Sequence, residues 1–126
     1  MPLVLALFAA MTVLTGCAHQ PHVRPAEVVF ACADANFYAT GISWTHWGTA
    51  DAEGTGVGYV NDCTPYCAAG HFHTYRLSVH LSRAVVCVKG RREFSRITWR
   101  FIGAKPAHVP RADGETLPCS FLKLKP

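Results

Sequence analysis

Apolar and polar residues alternate along much of this chain with a period of two. From Thr74 to Ser82, Tyr75, Leu77, Val79 and Leu81 interleave with Arg76, Ser78, His80 and Ser82. From Glu93 to Ile102, Ile97, Trp99 and Phe101 interleave with Arg96, Thr98 and Arg100. Such alternation, rich in β-branched and aromatic side chains, predicts strands with one buried face. Shorter strand runs cover Glu27 to Ala33, Asn36 to Trp47 and Thr55 to Val60; Gly56 and Gly58 predict that the last is twisted or bulged. Trp44 and Trp47 are three apart, so a regular strand sends them to opposite faces. One then belongs to the core, and the other is either a candidate aromatic platform beside His46 and Tyr66 or, as is more common, a covered flank of the sandwich. Turn signals at Gly48, Asn61-Asp62, Pro65, Gly70 and Lys89-Gly90 separate the runs. The expected fold is all-β, a small antiparallel β-sandwich or barrel over residues 27–103. Pro106, Pro110 and Pro118 predict an irregular tail over 104–126. A length of 126 residues allows one small domain.

The N-terminus departs from this pattern. Leu3 to Leu14 is a mostly apolar run, shorter than the about 20 residues of a membrane-spanning helix and suited to the core of a secretory signal. It ends in Leu14-Thr15-Gly16-Cys17, which resembles a bacterial lipobox: aliphatic, small, glycine, cysteine. That resemblance implies a cleaved lipoprotein signal peptide over 1–16, a diacylglyceryl group on Cys17, and a location on the outer face of the cell membrane. The n-region, Met1-Pro2, carries no Lys or Arg. Two acyl chains suffice for stable anchoring. Residues 17–26, with Pro21 and Pro25, then read as a tether.

Six cysteines in so short a chain fit an oxidising compartment. With Cys17 acylated, Cys32, Cys63, Cys67, Cys87 and Cys119 remain, which allows two bridges and leaves one thiol over. The favoured pairings are Cys63–Cys67, or one of these with Cys32, and Cys87–Cys119. A different chemistry is written in Cys63-x3-Cys67-x3-His71-x-His73: thiolates and imidazoles suit zinc or copper, so a metal-binding or redox protein is an alternative. Exported thiols tend to oxidise, however, and the two histidines share the register of Tyr75 and Leu77. No cofactor is expected.

Catalytic signatures are sparse. No Gly-x-Ser-x-Gly elbow is present. Ser43, His46 and Asp51 are the residues from which a triad would be assembled, and Asp34, Asp51, Glu53 and Asp62 are the candidate carboxylates for a small secreted hydrolase. The simpler reading of the carboxylates is solvated turn residues, and no catalytic residue is assigned.

Charge changes the picture more. Residues 17–63 carry one basic side chain against five acidic; residues 64–126 carry eleven against three. Arg76 and His80 lie on the polar side of one predicted strand, and Arg92, Arg96 and Arg100 on that of the next. If the two strands form a hairpin across 83–92, these sides merge into a basic stripe, with Arg91 nearby. Such a stripe suits anionic lipid headgroups or phosphorylated wall polymers, and also serves as ordinary guarding of a sheet surface. Nucleic acid is not an expected partner for an exported protein.

Several segments between Phe30 and Phe101 carry a resemblance: Ala31-Cys32-Ala33-Asp34-Ala35-Asn36, Trp44-Thr45-His46-Trp47-Gly48, Asn61-Asp62-Cys63-Thr64-Pro65-Tyr66-Cys67-Ala68-Ala69-Gly70, Phe72-His73-Thr74-Tyr75 and Phe94-Ser95-Arg96-Ile97-Thr98. In order and spacing these are similar to a group of small secreted or lipid-anchored actinobacterial proteins with no established activity. The resemblance implies an address and a rough fold, not a reaction. The expected function is therefore that of a lipid-anchored envelope protein with a non-catalytic binding domain.

Overall fold

A computed structural model of the full-length chain describes residues 11–17, 20–87 and 90–119. Most of the apolar run assigned to the signal peptide (residues 1–10), the turn residue Lys89 and the end of the tail (120–126) lie outside the described residues. The strands are β1 (Leu14–Thr15), β2 (Pro21–His22), β3 (Val28–Val29), β4 (Phe37–Trp47), β5 (Ala52–Asn61), β6 (Phe72–Val86), β7 (Arg92–Ile102) and β8 (Ala112–Thr116), with one short 3-10 turn at Cys67–Ala69. Strands β3 to β8 form a single antiparallel meander in sequence order, and β1 and β2 form a separate two-stranded ribbon. The all-β antiparallel expectation holds. The hairpin expected across 83–92 is present, with β6 and β7 paired from Arg76↔Ile102 to Val86↔Arg92.

The sheet curls strongly. In a flat sheet β4 and β7 would stand about 14 Å apart, three strand spacings. Instead Phe37 lies 5.3 Å from Trp99 and 6.0 Å from Phe101, and Trp47 lies 5.5 Å from Phe94, ring centroid to centroid. Leu77, Val79 and Leu81 from β6 and Ile97 and Phe101 from β7 fill the enclosed space. Glycines on β5 permit the closure. A Cβ on Gly54 would sit 2.8 Å from the Ser43 carbonyl and 2.9 Å from the Trp44 ring, and one on Gly58 would sit 2.5 Å from Leu77 Cδ2. Side chains of the neighbouring strands therefore lie directly over the β5 backbone.

Of the two alternatives for β5, twisted or bulged, the bulges lie on the neighbouring strand. Strand β5 pairs with β6 without interruption from Ala52 to Asn61. The irregularities are on β4, between Thr40 and Ser43 and between Trp44 and His46, each of which inserts one extra residue opposite β5. Gly41, at φ 58°, supplies the left-handed backbone of the first. The second corrects the expectation for the tryptophans. It restores the inward side at Trp47, so both rings turn to the core and meet edge-to-face at 4.8 Å. Trp44 Nε1 donates to the Pro25 carbonyl and Trp47 Nε1 to that of Thr12. Neither ring is an exposed platform.

Both ends of the chain add to the sheet. Val13 bridges the start of β7 beside Glu93, and Val13 and Leu14 are buried. Glu93, itself buried, accepts from Thr15 Oγ1 at 2.7 Å and pairs with Arg91 at 3.2 Å. Within the expected tether, β2 pairs with β1 and Pro25 holds Trp44, so the segment is tied down rather than free-standing. The expected irregular tail carries the edge strand β8, whose register runs from Arg96↔Thr116 to Arg100↔Ala112. Between β3 and the end of β8 the curl stays open. There the seam holds an apolar cavity of about 280 Å³, with Val28, Phe30, Ile97 and Leu117 among its walls.

Three disulfides close the structure: Cys17–Cys32, Cys63–Cys67 and Cys87–Cys119. The last two are the pairings favoured from sequence. The first uses Cys17, so no cysteine is free in the unacylated chain; the odd thiol was expected only with Cys17 acylated.

Candidate functional site

Alternation along β6 sends Phe72, Thr74, Arg76, Ser78, His80 and Ser82 to the face opposite the core. The registers extend this face sideways in rows. Thr40, Val57, Arg76 and Ile102 form one; Ser43, Thr55, Ser78, Arg100 and Ala112 form the next. His46, Glu53, His80, Thr98 and Gly114 form a third, and Ser82, Arg96 and Thr116 a fourth. Directly opposed side chains stand about 5 Å apart at Cβ, close enough to act on one ligand.

Arg76, Arg96 and Arg100 thus share one face, as the sequence pattern predicts. Among the described residues none of their guanidinium groups has a hydrogen-bond or ion-pair partner. Arg92 does not join them. Phe94 is buried against Trp47 although only two positions from the outward Arg96, so the alternation of faces breaks at Ser95 while the β6–β7 pairing continues in register, and Arg92 lies beyond the break.

At one end of the face Asp51, in the β4–β5 turn, accepts from two imidazoles. His46 Nε2 lies 2.9 Å from Oδ1 and His80 Nε2 lies 3.1 Å from Oδ2. These hydrogen bonds, His80 first and then His46, hold the Asp51 carboxyl below its ordinary pKa. Beside them a shallow cavity of about 340 Å³ is lined by Glu53, Ser78, His80, Thr98 and Arg100, together with Trp99 and Ala112. The sequence offers Ser43, His46 and Asp51 as the parts of a triad, with nothing in their spacing to place them together. The His46–Asp51 contact forms, but Ser43 makes no hydrogen bond to His46, and the second partner of Asp51 is His80, 29 positions away.

At the other end, Tyr38 and Tyr59 stack at 4.9 Å with ring planes 4° apart, and Phe72 lies 5.6 Å from Tyr38. Phe72 is 45% exposed and Tyr66 64%. Phe72 was missed as an exposed ring; extending the Thr74–Ser82 alternation by one step would have found it.

The β5–β6 connection is built around Asp62. Its Oδ1 accepts from the backbone N–H of Thr64 and His71, and its Oδ2 from His73 Nε2 at 2.9 Å. The His71 N–H, then the His73 ring, then the Thr64 N–H lower the Asp62 pKa to about 2. Asn61 Oδ1 accepts from Cys63 N while its amide donates to Cys67 O, and a Cβ on Gly70 would strike the Cys63 backbone at 2.8 Å. The four residues read as metal ligands are used otherwise here. Cys63 and Cys67 are bonded to each other, His73 is held by Asp62, and His71 lies outside β6 with its N–H on that carboxylate. In this disulfide form the two sulfurs are not the thiolates that a metal site would use. Among the described residues no group of three His, Cys, Asp or Glu side chains is arranged to hold a metal ion. Asp34 caps its own turn by accepting from Asn36 N–H.

No family model, curated protein or solved structure matches the chain.

Proposed function

We propose that this is an exported envelope protein, lipid-anchored through Cys17, whose outer sheet face binds an anionic ligand without catalysing a reaction. The observation that carries the reading is the row register of β6 and β7, which gathers Arg76, Arg96 and Arg100 on one exposed surface with no carboxylate opposite them among the described residues. Unpaired guanidinium groups present planar, bidentate donors to a carboxylate or phosphate. The two disulfides that do not involve Cys17, Cys63–Cys67 and Cys87–Cys119, support an oxidising address.

Anchoring has a structural consequence. Acylation uses the sulfur that bonds Cys32 in the full-length chain, so the anchored form carries Cys32 as a thiol. Cleavage before Cys17 also withdraws Val13 and Leu14 from the core.

The test is co-sedimentation of the oxidised full-length protein with anionic and neutral vesicles at low salt. Binding to the anionic vesicles is expected, with at least tenfold loss in Arg76→Glu/Arg100→Glu and weakening as salt shortens the screening length. Equal binding by the double variant refutes the reading.

A further inference from the structure

The outer face is long as well as basic. From Phe72 to Ser82 it runs about 34 Å along β6 at 3.4 Å per residue. Its chemistry changes along that length. A half-exposed ring, Phe72, lies at one end, backed by the stacked tyrosines Tyr38 and Tyr59. Arg76 follows about 14 Å further on. Next come the hydroxyl row Ser43, Thr55 and Ser78, closed by Arg100, and then the cavity that Glu53, His80 and Thr98 line together with Arg100.

Charge and hydroxyls together narrow the ligand. Glu53 lines the cavity together with Arg100; its carboxylate has no use on a lipid surface and would oppose a densely charged polyphosphate. A linear molecule that carries separated anionic groups among many hydroxyls satisfies every part. Its hydroxyls pair with Ser, Thr, His and Glu side chains, its carboxylates with guanidinium groups, and the C–H face of a ring with an aromatic side chain. We propose that this face binds a linear acidic polysaccharide of the uronate type, with a sugar ring over Phe72 and carboxylates on Arg76 and Arg100. The proposal rests on the anion-binding reading above and names its ligand class.

The experiment titrates the oxidised full-length protein with alginate oligomers, a neutral β-glucan oligomer, poly(glycerol phosphate) and phosphatidylglycerol vesicles. Alginate is expected to bind at least tenfold more tightly than the other three. Phe72→Leu keeps an apolar contact with Tyr38 but removes the flat ring, and is expected to weaken alginate binding about fivefold to tenfold. Phe72→Ala is expected to do the same, with the far-ultraviolet spectrum of each variant confirming the sheet. Arg76→Glu/Arg100→Glu is expected to abolish binding. Vesicles or poly(glycerol phosphate) binding as tightly as alginate, with no effect of Phe72→Leu, overturns the polysaccharide and leaves the anion-binding reading standing. Failure of every anionic probe overturns both.

Discussion

Single residues carry two kinds of constraint in this molecule, hydrogen-bonded carboxylates and glycines under side chains. Asp62 collects two backbone N–H groups and an imidazole, and its carboxyl titrates near 2 rather than 3.8. A pKa lower in the folded than in the unfolded state stabilises the fold fully above the unfolded value, and that stability is lost as the pH falls through the folded value. Asp62→Asn is therefore expected to lower the urea midpoint above about pH 4, with the difference from the parent closing towards about pH 2. Urea titrations across that range check it; a difference that persists unchanged to the acid limit contradicts the role given to this carboxylate. Gly54→Ala would drive a methyl group against the Ser43 carbonyl and the Trp44 ring. It is expected to cost about 1–3 kcal/mol, the usual range for overpacking, read as a drop in urea midpoint at unchanged slope. These contacts are invisible in sequence, because Gly54 meets Trp44 only once β4 has bulged. Asp62 was legible as a turn residue but not as the hub of its loop, since its partners lie up to eleven positions away.

At the scale of elements, the strands that alternate cleanly are the ones sequence locates. Strands β6 and β7 keep an unshifted register over Arg76–Ser82, so period two tells inside from outside there. Strand β4 does not, because each inserted residue reverses the parity that follows it, and Trp44 and Trp47 end on the same side. Strand β8 was hidden because Asp113, Gly114 and Glu115 carry no apolar pattern; it pairs as an exposed edge through its backbone. The disulfides differ in what they constrain. Cys87–Cys119 spans 32 positions and encloses β7 and β8, whereas Cys63–Cys67 spans four. Chain-entropy arguments give about 4 kcal/mol for the former and about 2 for the latter. Replacing Cys87 and Cys119 by Ala is expected to lower the stability more than the same change at Cys63 and Cys67, as thermal or urea unfolding of the two variants will show.

For the whole molecule, the curl closes one apolar interior and leaves one long polar exterior. Its candidate site is spread over β4 to β8 and is not a local motif. The arginines were legible because they share a hairpin; the Asp51–His80 contact and the grouping of Phe72 with Tyr38 and Tyr59 were not, because separate strands have to assemble before they exist. The fate of Cys17 is a property of the whole chain as well. In the oxidised full-length protein no titratable thiol is expected, whereas the anchored form is expected to show one, Cys32. Thiol titration of membrane-extracted protein separates the two, and two or more thiols in the anchored form contradicts the pairing described.

The most direct measurement is a map of backbone amide shifts in the oxidised protein as an acidic oligosaccharide is added. Changes centred on Arg76, Ser78, Thr98 and Arg100 and reaching Phe72 are the predicted result. Changes centred on Val28, Phe30 and Leu117 at the apolar seam, or no saturable change anywhere, contradict it.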